Sequence, residues 1–138
     1  MNKEVEYLKK ENIDSYIKFI SEVFDYEPNK EDIEKLIEHD SVLVIMNQDK
    51  VIASVILSEH YEFIKSQKYY RIGYFGVLKE YRRMGYASRL FEKIEELVKE
   101  NDIKYLELTS GNHRKAAHYL YQSNGFKIKD TTVFIKLY

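Results

Sequence analysis

At 138 residues, with 44% hydrophobic and 33% charged side chains, Pro 1 and Gly 5, the chain has the make-up of one ordered domain over residues 1–138, long enough to bury a core without staples. With Cys 0, disulfides, thiolate metal sites and a cysteine acyl-enzyme are excluded, and a net charge of -1 argues against a general affinity for nucleic acid. No apolar run approaches the roughly 18 residues that span a bilayer, and the opening Met1-Asn2-Lys3-Glu4-Val5-Glu6 lacks the apolar core of a signal peptide, so a cytoplasmic protein without a membrane partner is expected.

The charge is unevenly spread. Residues 1–40 hold about 6 lysines against about 12 carboxylates, and the remainder holds about 16 basic against about 11 acidic groups. This suits a C-terminal part that receives an anion and an N-terminal part that shapes a site for a cation, or else two solvated faces.

In chain order, residues 5–9 read as a short strand and 14–24 as a helix with Ile17, Phe19, Ile20, Val23 and Phe24 as its apolar positions. A second helix follows Pro28, with Asn29 as its cap and Ile33, Leu36 and Ile37 turned inward. Two strand-like runs, 42–46 and 51–57, are joined by Asn47-Gln48-Asp49-Lys50 and predict a hairpin; 69–78 is a third long strand. From Ala87 onward, Leu90, Phe91, Ile94, Leu97 and Val98 recur at helical spacing with charged residues between them. Residues 105–109 return as a strand, which makes one β-α-β crossover. A last helix over 115–123 stops at Asn124-Gly125, and 126–129 and 132–138 supply two closing strands.

The junction between the first crossover strand and its helix reads Arg82-Arg83-Met84-Gly85-Tyr86-Ala87. The first N–H groups of a helix have no internal acceptor, and the aligned peptide dipoles leave partial positive charge there, so a phosphate satisfies both. Gly85 and Ala87 keep side-chain bulk away, and Arg82 and Arg83 add formal charge. In open α/β sheets ligands bind at the C-terminal ends of strands, where this turn falls. Taken alone, the same residues also suit a plain helix start with solvated arginines.

This order of elements, together with Tyr74-Phe75-Gly76-Val77, Glu80-Tyr81-Arg82, the turn itself, Glu107-Leu108-Thr109-Ser110-Gly111-Asn112 and Ala117-His118-Tyr119-Leu120-Tyr121 with Gly125-Phe126, resembles the GNAT superfamily of acetyl-coenzyme A dependent N-acetyltransferases. The resemblance implies an α/β fold: a mixed, mostly antiparallel sheet of six to seven strands, helices on both faces, and a splayed parallel strand pair. It also implies acetyl-coenzyme A and an amine acceptor as partners. The stretch matching Phe75, Gly76 and Val77 binds the pantetheine arm through exposed backbone groups, as another strand would. Diphosphate contacts fall on Arg82, Arg83, Met84, Gly85, Tyr86, Ala87 and Ser88, mostly through main-chain N–H groups. Asn112 matches a position that contacts pantetheine, and by its own chemistry also fits a helix N-cap. Tyr121 matches the tyrosine that protonates the departing thiolate, which suits a phenol of ordinary pKa about 10 facing a thiol of about 8.5.

The acceptor side departs from the family pattern. An amine of pKa about 10.4 must lose a proton before it attacks, at a cost near pH 7 of roughly 4 to 5 kcal/mol. Many family members carry a carboxylate two or three residues before the position of Gly76, where this chain has Gly73 and Tyr74. Glu107 on the following strand is the substitute base, with an ion-paired sheet carboxylate as its other reading. Glu22, Asp25, Glu27 and Glu59 are further candidates to line an acceptor pocket. His39, His60, His113 and His118 are not spaced as metal ligands, so no metal is expected. Two further readings are a coenzyme A binding or sensing module without catalysis, suggested by the missing carboxylate, and a phosphate binder that uses only the turn. Phe134 and Tyr138 fit core strands or a homodimer patch.

Overall fold

The computed structural model describes residues 3–138; Met1 and Asn2, part of the opening stretch read for a leader, lie outside them. The chain divides into two compact units, one ending at Leu108 and one covering Thr109–Tyr138.

The first unit is built on a five-stranded sheet in the order β1 (Val5–Tyr7), β2 (Ser41–Asn47), β3 (Lys50–Glu62), β4 (Gln67–Val77) and β5 (Ile103–Glu107). Neighbours are antiparallel up to β4, and β4 with β5 is parallel. The buried run Val51 to Leu57, apolar but for Ser54, explains why β3 is central, because a strand covered on both faces cannot alternate polar and apolar residues. α1 (Ile13–Phe24) and α2 (Lys30–His39) connect β1 to β2, and α3 (Tyr86–Glu100) makes the parallel crossover from β4 to β5. Asn29 caps α2 as its sequence predicts, with Oδ1 accepting from the Asp32 N–H at 2.8 Å.

Adjacent residues of β4 show which helix covers which face. Phe75 stacks on Phe91 of α3 with ring centroids 4.7 Å apart, whereas a Cβ on Gly76 would meet Val23 of α1. Successive strand residues point to opposite faces, so α1 and α3 flank the sheet on opposite sides. Leu90 and Ile94 of α3 are fully buried, and each such side chain contributes about 1.5–3 kcal/mol.

In the second unit, α4 (Lys115–Ser123) ends as Asn124-Gly125 signals. Gly125 has φ +90, its N–H bonds to Gln122 O at 3.1 Å, and the Phe126 N–H reaches back to Tyr121 O at 3.1 Å. This paired closure is a Schellman motif, which needs a left-handed residue that only glycine adopts without strain.

The expectation of six to seven strands is corrected to five. Residues 126–129 and 132–138, read as closing strands, are not among the five strands of the described residues. Their composition favours extended chain, but a strand exists only where its N–H and C=O groups meet a neighbouring strand, which composition does not encode. Boundaries also shift: β5 begins at Ile103 and ends at Glu107, where residues 105–109 were expected, and β3 runs on to Glu62.

Candidate active site

The parallel pairing of β4 and β5 stops early. Its rungs are Lys68 with Ile103, Tyr69 with Tyr105, Tyr70 with Leu106 and Arg71 with Glu107, yet β4 continues to Val77. Residues Ile72 to Val77 thus run on beyond the end of the ladder with β5. It is on this stretch that the splayed pair was expected to offer backbone groups as a template. On the β3 side, Ser54 opposes Gly76 and Ile56 opposes Gly73, so Val55 alone faces both Tyr74 and Phe75. This β-bulge bends the strand just past the end of its ladder with β5. Tyr74 takes φ +49, a conformation costly for a residue with a Cβ, and its ring meets Phe24 edge-on with centroids 5.2 Å apart.

Phe75 and Gly76 reach the edge by backbone alone. The Phe75 ring is buried against α3, and the missing Cβ of Gly76 is explained by Val23 Cγ1, which would lie 2.8 Å from it. The close approach expected at Gly76 is therefore that of α1. Val77 is half-buried, and its carbonyl accepts a hydrogen bond from Arg82 Nε at 3.1 Å.

After β4, Leu78 locks the chain into the core, its N–H donating to Ile52 O at 2.8 Å. A single 3-10 turn over Lys79–Tyr81 follows. Tyr81 and Glu80 hold it against the β2–β3 hairpin: Asn47 Nδ2 donates to Tyr81 Oη at 2.9 Å, and Lys50 Nζ lies 3.4 Å from Glu80 Oε1 and over the Tyr81 ring. A hydrogen bond from its own backbone N–H and, to a lesser degree, pairing with Lys50 hold the exposed Glu80 carboxyl below the usual range. These anchors were not singled out from sequence, because Asn47 and Lys50 read only as turn formers. Arg83 then adopts φ +64 and Gly85 φ +87, and the chain enters α3 with Gly85 as N-cap. Nothing lies within 4 Å of a Cβ built on Gly85, so conformation rather than space selects glycine there.

The start of α3 differs from that of α2. Where α2 has the Asn29 cap and two acids, Glu31 and Asp32, in its first turn, α3 has no side-chain cap and no acid. Its first internal bond is from Arg89 N to Gly85 O, 3.2 Å. The N–H groups ahead of Arg89 and the positive end of the dipole are thus left uncompensated by the chain's own side chains. Arg82, Arg83, Met84, Gly85 and Ser88 are exposed, and Tyr86 and Ala87 half-buried. Arg89 turns elsewhere, its Nη1 donating to Lys3 O.

Glu107 closes the β4–β5 ladder in an ion pair with Arg71, Nη1 to Oε1 3.1 Å. Arg71, which sequence reading passed over, is the partner that holds this carboxylate. Its pairing follows from register, which has no short-range signal. Glu22 on α1, Asp25 and Glu27 after it, and Glu59 on β3 are all exposed.

The other two candidates lie in the second unit. Tyr121 is buried, its ring against Phe126 with centroids 5.8 Å apart, and burial raises its pKa above 10.0, partly opposed by the nearby Arg114. Asn112 is exposed in the loop before α4. Its other reading, as an N-cap, is corrected: Arg114 occupies that position and no side chain caps α4. The loop folds on itself, with Arg114 N bonding to Gly111 O and Lys115 N to His113 O, each 3.0 Å, so no acceptor from Asn112 is needed.

The fold is widely shared. An aminoglycoside 6'-N-acetyltransferase from Acinetobacter baumannii superposes with TM-score 0.84 at 18% identity, covering 99% of each chain. An acetyltransferase from Trypanosoma brucei gives 0.83 at 16%, over 99% of this chain and 100% of that one. A ribosomal-protein-alanine N-acetyltransferase from Brucella melitensis gives 0.83 at 14%, with the same coverage. At such identities the likeness is one of fold, and no curated protein matches the sequence. Residues 5–126 match the acetyltransferase (GNAT) family. The chain, whose β4 runs past its ladder with β5 and on to an uncapped helix, belongs to that family and is an acyltransferase.

Proposed function

We propose that this chain transfers an acetyl group from acetyl-coenzyme A to a primary amine, directly, with both substrates bound at once. The observation that carries the reading is that β4 runs on past its last rung with β5, at Arg71, and leads, through a turn with two left-handed residues, into the uncapped and acid-free N-terminus of α3. A pantetheine arm has amides to pair with the one, and a diphosphate has oxygens for the other.

In the proposed reaction the neutral amine nitrogen attacks the thioester carbonyl, the N–C bond forms and the C–S bond breaks. Glu107 takes the amine proton, directly or through water, and Tyr121 gives its proton to the leaving thiolate. A main-chain N–H of the Phe75 to Val77 stretch stabilises the developing oxyanion, and positioning supplies much of the rate. Burial supports the part given to Tyr121, since it keeps the phenol protonated through the neutral range.

The acceptor proposed is cationic. Support comes from the carboxylate excess of residues 1–40 and from the exposed Glu22, Asp25, Glu27 and Glu59. Structural relatives act, by name, on aminoglycosides and on a ribosomal protein's alanine, so both polycationic small molecules and peptide α-amines belong in the test. The experiment is coenzyme A thiol release from acetyl-coenzyme A across a panel of polyamines, aminoglycosides and peptides. Turnover with an amine supports the reading. Binding of acetyl-coenzyme A with no amine turned over supports instead a sensing module, the reading that the absence of a carboxylate at Gly73 and Tyr74 favours.

A further inference from the structure

The turn that precedes α3 is gripped by the far end of the β2–β3 hairpin. Asn47 and Lys50 are the closing pair of that hairpin, opposite one another across Gln48 and Asp49. The hairpin end is itself fixed to α1, where the Val51 N–H donates to Ser15 Oγ at 2.9 Å. Lys50 holds Glu80 and the face of the Tyr81 ring. Asn47 uses both ends of its amide: Nδ2 donates to Tyr81 Oη and Oδ1 accepts from Lys3 Nζ, each at 2.9 Å.

These bonds reach both limbs of the turn. Tyr81 ends the incoming limb, and its ring meets that of Tyr86, the first residue of α3, edge-on with centroids 6.2 Å apart. On the outgoing limb, Arg89 Nη1 donates to Lys3 O. Tyr81, Asn47, Lys3 and Arg89 therefore close a circuit around residues 82–85, the segment in which Arg83 takes φ +64 and Gly85 φ +87. A left-handed conformation is unfavourable for a residue with a Cβ and persists only where its surroundings over-determine it. The side chain on which bonds from both limbs converge is that of Asn47.

We infer that Asn47 is a positioning residue for the coenzyme, holding the turn through Tyr81 and Lys3 in the conformation that receives the diphosphate, a role that rests on the acetyl-coenzyme A site proposed above. Apparent affinity scales with the fraction of molecules whose turn already has the receiving conformation. One hydrogen bond between partly buried side chains shifts such an equilibrium about 3- to 10-fold. The effect belongs to ligands that carry the diphosphate, because the pantetheine arm is assigned to β4 and not to the turn.

The test is calorimetric titration of the full chain with acetyl-coenzyme A and, in competition with it, S-acetylpantetheine, which lacks the diphosphate. Asn47→Ala and Tyr81→Phe are each expected to raise the Kd for acetyl-coenzyme A about 3- to 10-fold. The double substitution should lose no more than Asn47→Ala alone, because both act through one bond. Asn47→Asp should stay within about twofold of the wild type, since its carboxylate keeps Lys3 and accepts from the Tyr81 hydroxyl. Affinity for S-acetylpantetheine should move less than about twofold throughout, and thermal melts check that each variant is folded. Unchanged affinity in Asn47→Ala, equal losses for both ligands, or an Asn47→Asp as weak as Asn47→Ala would each overturn the inference. A wild-type chain that binds neither ligand would instead overturn the proposed coenzyme site, and the role of Asn47 with it.

Discussion

Arg71 and Glu107 face each other across the last rung on which β4 and β5 still pair, Nη1 3.1 Å from Oε1. The candidate base therefore stands where the ladder of the parallel pair ends and β4 runs on. Both side chains are partly exposed, so the pair is worth no more than about 1 kcal/mol to stability. Catalysis and folding can then be told apart. Glu107→Gln is expected to lower kcat about 10² to 10³-fold while moving the unfolding free energy by under about 1 kcal/mol. Stopped assays beside thermal melts check this, and an unchanged kcat removes Glu107 from the mechanism.

Tyr121→Phe should lower kcat by about 10² to 10⁴ with little change in acetyl-coenzyme A affinity, since the ring and its packing on Phe126 remain. Because burial raises the phenol above its ordinary pKa, the alkaline fall in kcat that belongs to this group is expected above pH 10. A kcat–pH profile in which that limb appears well below pH 10 contradicts the assignment.

Two glycines near the edge should behave differently. At Gly76 a methyl would lie 2.8 Å from Val23 Cγ1 and 3.2 Å from Phe24 Cζ, so Gly76→Ala is expected to cost about 1–3 kcal/mol of stability through overpacking. At Gly85 there is space but φ is +87, so Gly85→Ala should cost about 1–2 kcal/mol of backbone strain. It should also weaken acetyl-coenzyme A binding more than Gly76→Ala does. Denaturant titration and calorimetry on both variants separate the effects.

Tyr16 is fully buried on α1, and its hydroxyl has no hydrogen bond of good geometry; Ser54 beside it donates to Leu43 O at 2.8 Å. Burial raises its pKa well above 10.0, with Ser54 opposing in part and Tyr74 adding to the rise. A raised tyrosine pKa means that the unfolded chain releases its proton first, so the stability it contributes is complete below pH 10 and is lost as pH climbs beyond it. Tyr16→Phe removes an unsatisfied polar atom and should cost less than about 1 kcal/mol at pH 7. It should also flatten the loss of thermal stability between pH 10 and 11. A steep loss that persists unchanged places the sensitivity elsewhere.

What the sequence made legible was whatever is encoded locally. The α3 face of Leu90, Phe91, Ile94 and Leu97, the Asn29 cap and the Gly125 stop each follow from spacing or from one residue's chemistry, and all stand in the structure. The uncapped start of α3 could be read in the same way, from Gly85 and the absence of acids behind it. The Arg71–Glu107 pair, the Asn47–Tyr81 clamp and the bulge at Tyr74 arise from register between distant strands. No window of the chain contains that information. The two strands expected over 126–138 show the opposite limit: composition declares a willingness to extend and says nothing of whether a partner is present.

The central claim is that α3's first main-chain N–H groups hold a diphosphate while the β4 edge pairs with the pantetheine arm. It is tested most directly by a crystal structure with acetyl-coenzyme A bound. The account requires diphosphate oxygens about 2.7–3.2 Å from the N–H groups of residues 85–88 and pantetheine amides paired along Phe75 to Val77. Density for the coenzyme elsewhere, with the β4 edge and the start of α3 both bare, would contradict it.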